Sequence, residues 1–349
     1  MSSTVLPSGC GICGKQKDLL RCEQCKVMPY CGPNHQSDHL QAHKSACNDI
    51  KECREVMEAE EIVLNDHLNT GFVMTAYPFD NSNTHPLPLY SFYDYMSACF
   101  TLIKATKRVR NHESTEAQLS YLMYMLGLCR SDVRGIRILV PPLMLSLNKD
   151  QDCYDFIKWW NSDYYKQDQE GTILPYVDIT GDDPFEPVDF LEQHAVCLTL
   201  LKVKMFLDLQ CVEESFFVLR PRLPREIVDQ IHRSVPQSLI IRECRQIVRA
   251  DREGCLELLL KLEEQIQQMH RMVSKRNQWF WNMLAHPVNW LDEAPDEYAI
   301  GSVEEAALTL CASYDAWRDT PNALDFINAI TDTHPLLKDI RDVGPNSST

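Results

Sequence analysis

The sequence predicts a mainly α-helical protein that carries a small, metal-stapled module at its N-terminus. Three observations lead there. Six of the fifteen cysteines fall between positions 10 and 47, interleaved with histidines at metal-ligand spacing. Apolar residues then recur at helical intervals from Ile50 onward, punctuated by proline and glycine. With 349 residues, 44% apolar and 24% charged, the chain can bury a sizeable core, which excludes collagen, low-complexity polymers and wholesale disorder. The expected organisation is a zinc module over 1–50, a connecting helix and linker over 51–90, an all-α domain over 91–340 and a flexible tail over 341–349.

The N-terminal elements come first. Cys10-x-x-Cys13 and Cys22-x-x-Cys25 are two knuckles, each able to place two thiolates on one ion in a tight turn, with Gly11 and Gly14 supplying backbone freedom at the first. Cys31-x-x-x-His35 and His43-x-x-x-Cys47 are i,i+4 pairs, which on a helix lie one turn apart on one face. Four pairs make eight ligands, enough for two closed tetrahedral sites with no place for a catalytic water. A disulfide framework would need an oxidising compartment. The N-terminus has neither a basic n-region nor an apolar h-region, so an intracellular location is expected, and disulfides would leave the histidine spacing unexplained. Two structural zinc ions are the expected cofactors. His39 lies four residues from both His35 and His43 and competes for the sixth position; the spacing of eight between His35 and His43 favours His35.

The run Cys10-x2-Cys13-x8-Cys22-x2-Cys25-x5-Cys31-x3-His35-x7-His43-Lys44-x2-Cys47 resembles a MYND-type zinc finger, as do Tyr30, Gln36 and Lys44 beside the ligands. The resemblance implies cross-braced wiring: Cys10, Cys13, Cys31 and His35 on one ion, Cys22, Cys25, His43 and Cys47 on the other. Where the family usually has cysteine this chain has His35, and where it has Asp-Trp this chain has His39-Leu40. Family members use the finger to bind proline-containing peptides, often Pro-x-Leu-x-Pro, in transcription- or ubiquitin-linked regulators. The segment Asp150-Gln151-Asp152-Cys153-Tyr154-Asp155-Phe156-Ile157-Lys158-Trp159-Trp160 is similar to one found in fungal MYND-containing proteins; as a helix its aromatics would supply core mass.

After the finger, Ile50, Cys53, Met57, Glu61, Leu64 and Leu68 mark an amphipathic helix over 50–68. Pro78, Pro86 and Pro88 mark a linker over 69–90. Helices follow over 92–109 and 117–129, with Pro141-Pro142 closing the next. An acidic insertion over 161–189 reads as an exposed loop with a short strand near 173–179. Helices resume over 190–209, after Pro224, over 239–284 with a break near 251–254, and from the capping box Ser302-Val303-Glu304-Glu305 to Trp317. Thr320-Pro321 opens a last helix ending near Ile330, and the tail after Asp342 frays. No period of 33–47 residues repeats, so irregular helix-hairpin stacking is expected.

Charge narrows the function classes. The chain has 34 Lys and Arg against 50 Asp and Glu, a net of -16. The first fifty residues carry +1 and the remainder -17. With two zinc ions and six thiolates the total falls near -18. A body this acidic argues against nucleic acid as a partner, because such binding draws on neutralised phosphates, and against an anionic membrane surface. No run of eighteen apolar residues occurs, so no membrane span is expected.

Catalytic readings find little support. No Asn-His-Ser-Cys motif of a methyltransferase follows the finger, and none of the eleven histidines is followed two residues later by the carboxylate an iron dioxygenase needs. Asp182-Asp183-x-x-Glu186 sits among Gly181, Pro184 and Pro187, which break the helix a magnesium-binding carboxylate motif requires. Neither a phosphate-binding glycine loop nor a Gly-x-Ser-x-Gly elbow occurs. The nine cysteines after position 50 read as reduced core residues. No catalytic or organic-cofactor residue is assigned. The expectation is a non-enzymatic adaptor with protein partners; the alternative is an enzyme or small-molecule binder whose site lies in the helical body, with the finger for targeting. Oligomeric state is not legible.

Overall fold

The computed structural model describes residues 6–69, 89–128, 135–161, 192–219, 252–287 and 298–333, together with isolated positions between these stretches. Within them the chain is mainly α-helical, with ten α-helices, a short 3₁₀ turn over Ile136–Ile138 and one two-stranded sheet. The predicted linker over 69–90, the acidic loop with its strand and carboxylate motif, the segment after Pro224 and the C-terminal tail lie essentially outside the described residues. Among the described residues no helix is long and apolar enough to cross a membrane.

The chain divides into two compact units, residues 5–143 and 144–349. In the first, strands β1 (Leu20–Arg21) and β2 (Pro29–Tyr30) form an antiparallel hairpin, followed by α1 (Pro33–Asn69), α2 (Leu89–Lys107) and α3 (His112–Leu128). Helix α1 starts inside the finger, well before the expected start at position 50. Its buried positions His43, Cys47, Ile50, Arg54, Met57 and Leu64 fall three, four or seven residues apart on one stripe. The helix that carries zinc-ligand candidates at one end also packs against α2. Asn111 ties the finger to the next element: its Oδ1 accepts the Ser114 N–H (2.7 Å) at the start of α3, and its Nδ2 donates to the Val27 carbonyl (2.9 Å). The Pro7 carbonyl accepts from the His112 N–H at 2.8 Å, and Arg108 pairs with Asp49.

One sequence expectation needs correction here. Pro141 and Pro142 lie in the first turn of α4 (Val140–Ser146), so they open that helix rather than close one. Proline suits a first turn, where its missing N–H has no intrahelical acceptor to lose. Helix α7 (Arg252–Arg276) opens inside the expected break near 251–254, residues 242–251 lie outside the described residues, and a further interruption falls at 277–279, before α8 (Phe280–Ala285). There Asn277 accepts the Trp279 N–H on its Oδ1 (3.1 Å) and donates its Nδ2 to the Ser302 carbonyl (2.9 Å), a tertiary anchor that ends the helix.

In the second unit, α5 (Asp150–Trp160) and α7 pack on α6 (Glu192–Leu219), as do α9 (Val303–Asp319) and α10 (Ala323–Thr333). Helix α6 is buried without interruption from Gln193 to Met205, which makes it the axis of this core. A helix enclosed on all sides must neutralise the polar groups it carries. Lys204 does so by donating to the Asp150 carboxylate (2.5 Å), the Leu145 carbonyl (3.1 Å) and Asn148 Oδ1 (3.2 Å). A second aromatic core surrounds Trp281, whose ring stacks on His270 at 4.7 Å and meets Trp317 edge-on at 5.8 Å. In α5, Tyr154 and Trp160 are buried, while Phe156 and Trp159 are half-buried at its margin.

The capping box before α9 forms with one difference. Ser302 Oγ accepts the Glu305 N–H at 3.2 Å, but the Glu305 carboxylate reaches past Ser302 to the Gly301 N–H at 2.6 Å. Replacing Ser302 with Ala is expected to lower the urea unfolding midpoint by the equivalent of about 1 kcal/mol, the usual worth of such a cap.

The scattered cysteines only partly meet the expectation of core burial. Cys99, Cys153, Cys197 and Cys255 are buried, Cys53 and Cys311 are half-buried, and Cys211 is exposed. Cys129 and Cys244 lie outside the described residues.

Candidate metal centre

The finger is built from two copies of one turn. In each knuckle the residue after the second cysteine donates its N–H to the carbonyl of the first: Gly14 to Cys10 and Lys26 to Cys22, both at 2.8 Å. Both residues take the left-handed conformation, at φ 70° and 60°. Glycine does so without strain, whereas Lys26 costs its turn about 1 kcal/mol. Gly11 has another role than the torsional freedom expected of it. A Cβ there would come within 2.8 Å of Met28 Sδ and 3.4 Å of His39 Nδ1, so the constraint at Gly11 is close packing.

The hairpin and α1 bring the knuckles to their partners. Cys22 follows β1 directly and Cys31 follows β2, while His35, His43 and Cys47 ride on α1. Two groups result: Cys10, Cys13, Cys31 and His35, and Cys22, Cys25, His43 and Cys47, with the ligand atoms of each group all within 4.8 Å of one another. This is the cross-braced pairing, first knuckle with the third pair and second with the fourth. His39 joins neither group. Its Nδ1 hydrogen-bonds Tyr30 Oη at 3.1 Å and its ring stacks on His43 at 5.7 Å.

The spacing within each group fits zinc. Tetrahedral coordination with Zn–S of about 2.3 Å and Zn–N of about 2.0 Å separates two sulfurs by about 3.8 Å and a sulfur from a nitrogen by about 3.5 Å. The sulfurs of Cys13 and Cys31 are 3.7 Å apart, and those of Cys22 and Cys47 are 3.6 Å apart. His35 Nδ1 lies 3.4 Å from the Cys10 sulfur and 3.2 Å from that of Cys31, and His43 Nε2 lies 3.3 Å from that of Cys25. The two histidines therefore present different ring nitrogens, which the sequence spacing could not distinguish.

Electrostatics points the same way. Burial opposes ionisation of Cys10, but the N–H groups of Cys13, Ile12 and Cys31 aim at its sulfur and bring the thiol down to about 5. Cys22, likewise opposed by burial, is lowered by the Cys25 and Gln24 N–H groups. Cys31 and Cys47 then resist: burial and the neighbouring sulfurs push Cys31 up to about 11 and Cys47 to about 12. Several thiolates within a few ångströms need a cation between them, and a divalent ion reverses the repulsion. Burial, then His39, lowers the imidazole pKa of His43, favouring the neutral form that ligates metal.

Residues 10–47 match the MYND finger family. This module is a MYND finger. It holds two cross-braced Cys₃His sites typical of MYND fingers and consistent with two zinc ions. No solved structure matches the chain at a significant level.

Residues outside the motif also support the MYND finger. Arg54, on the α1 stripe, donates to the carbonyl of Gln24 (2.6 Å) and to that of Cys25. Gln36, next to His35, places its Nε2 3.9 Å from the Cys22 sulfur, and Gln24 Oε1 lies 3.5 Å from that of Cys47. Sequence reasoning missed Arg54. Its only local signal is an interval of seven residues from Cys47 on the same helix face.

Proposed function

We propose that this protein is a non-enzymatic adaptor with a regulatory role. Its MYND finger binds proline-containing peptides, and its helical body serves as a second docking surface. The eight residues Cys10, Cys13, Cys22, Cys25, Cys31, His35, His43 and Cys47 ligate the two zinc ions. MYND fingers are zinc-binding protein-interaction modules, and both clusters here have four protein donors, which leaves the metal no open position for chemistry.

The observation that carries the peptide reading is the hairpin edge. β1 pairs with β2 on one side, the sheet has no third strand among the described residues, and Leu20 on β1 is 67% exposed. An extended peptide can add to such an edge through main-chain hydrogen bonds, with an apolar side chain against Leu20. Leu40, at the position of the family's tryptophan, is exposed as well and keeps an apolar character there. In the helical body Asp150 and Lys204 pair with each other in the core, consistent with a structural role.

Titrating the zinc-loaded full chain into a fluorescein-labelled Pro-x-Leu-x-Pro peptide tests this reading by anisotropy. Saturable binding is expected, with loss in Leu20→Asp and retention in Leu260→Asp, an exposed leucine of the second unit. No binding by a protein carrying its full zinc complement would overturn the peptide reading.

A further inference from the structure

The two metal clusters of the finger have the same donor set but different surroundings. All four residues of the Cys22, Cys25, His43 and Cys47 cluster are buried. In the other, only Cys10 is buried; Cys31 and His35 are half-exposed and Cys13 is exposed. The buried cluster is also enclosed by further side chains. The His39 ring covers His43 at 5.7 Å, and the ring of Tyr30, itself buried, meets His43 edge-on at 6.2 Å. Arg54 then holds the Cys22–Cys25 turn closed, because the carbonyls of Gln24 and Cys25, its two acceptors, belong to that turn. Arg54 is 7% exposed and places a positive charge beside a site that three thiolates and one zinc leave at net -1. Among the described residues no buried cation is hydrogen-bonded to the turn of the first knuckle.

Zinc leaves a closed thiolate site when an entering ligand reaches the ion or one of its sulfurs and displaces the protein donors one at a time. An exposed sulfur permits that first contact, whereas a sealed site requires the surrounding structure to open first. On this basis we infer that the finger holds its two zinc ions unequally: the Cys10, Cys13, Cys31 and His35 ion exchanges with small thiols and chelators, while the other is retained by burial and by Arg54 acting as a positioning residue. The inference rests on the zinc-ligand set proposed above. It adds a direction, with zinc loss starting at the end of the finger that contains Cys13 and the second knuckle staying folded.

The full-length protein, shown by metal analysis to hold two zinc ions, is challenged with a chromogenic chelator and N-ethylmaleimide, and alkylated peptides are identified by mass spectrometry over time. One zinc equivalent is expected to leave first, with modification of Cys10, Cys13 and Cys31. The second should leave at least about tenfold more slowly, with Cys22, Cys25 and Cys47 modified in that phase. Arg54→Ala should speed the second phase by about 10–100-fold, the usual effect of losing a supporting contact at a metal site, and leave the first unchanged. Arg54→Lys keeps the charge but loses the fork, and should lie between the two. The order of alkylation in the unmodified protein decides the matter even if both variants misfold. Release of both ions in one phase, or earlier modification of Cys22, Cys25 and Cys47, overturns the inference while leaving the ligand set intact. A protein that never holds two zinc ions overturns the ligand set and this inference together.

Discussion

Chelating zinc is expected to unfold the finger while most of the helix signal survives. Besides the cysteines, the buried apolar side chains between positions 9 and 47 are Val27, Pro29 and Tyr30, far too few for a core. Each structural zinc supplies on the order of 10 kcal/mol in such modules, so removing both exceeds anything the remaining contacts can replace. The far half of α1 buries Met57 and Leu64 against α2 and does not depend on metal. Far-UV circular dichroism should therefore fall slightly, while protease cleavage within 9–47 rises sharply. Cys25→Ala should reproduce the effect at one site. An unchanged cleavage pattern after chelation would refute the structural role of zinc. The same chemistry fixes the sign of the pH dependence. The six thiols are ionised when zinc is bound and protonated in the unfolded chain below about pH 8.5, so stability is greatest above that value and falls as the pH drops.

The second large effect is expected at the core of the second unit. Lys204→Met removes the cation that the Asp150 carboxylate, the Leu145 carbonyl and Asn148 share, and strands a carboxylate that is 1% exposed. Asp150 Oδ2 already has no hydrogen-bond partner, so the carboxylate depends on this one contact. Breaking a buried pair from one side costs about 3–5 kcal/mol, whereas replacing both partners with apolar residues is often close to neutral. Lys204→Met should therefore shift the urea midpoint strongly downward, and adding Asp150→Leu should restore most of the loss. A double variant as unstable as the sum of the two singles would show that the pair contributes no coupling.

The finger was legible in the sequence because metal ligation is local: knuckle spacing, i,i+4 pairs and the Tyr30 and Gln36 neighbours all fall within forty residues. The helical body was legible through its period, down to the Ser302 cap. What escaped depends on partners far away in the chain. The break after α7 is made by Asn277 reaching Ser302, 25 positions further along the chain. Lys204 and Asp150 are 54 positions apart and each reads as an ordinary surface charge until α5 packs on α6. The early start of α1 was hidden for another reason. Ligands occupied the positions where apolar residues would have shown the period, so the stripe became visible only from Ile50.

That shared stripe limits how the gene could be rearranged. Helix α1 spans 37 residues, about 55 Å, and one angular phase serves both the proposed ligands His43 and Cys47 and the packing residues Met57 and Leu64. Inserting or deleting a single codon between positions 48 and 56 would turn one end against the other by about 100°. It would aim either the ligands away from their ions or the packing residues away from α2. The finger is thus not a cassette that can be cut at its last cysteine and grafted elsewhere. A step of roughly seven residues, two full turns, restores the phase but still shifts the two ends by about 10 Å along the axis, so any transplant has to carry the helix with it.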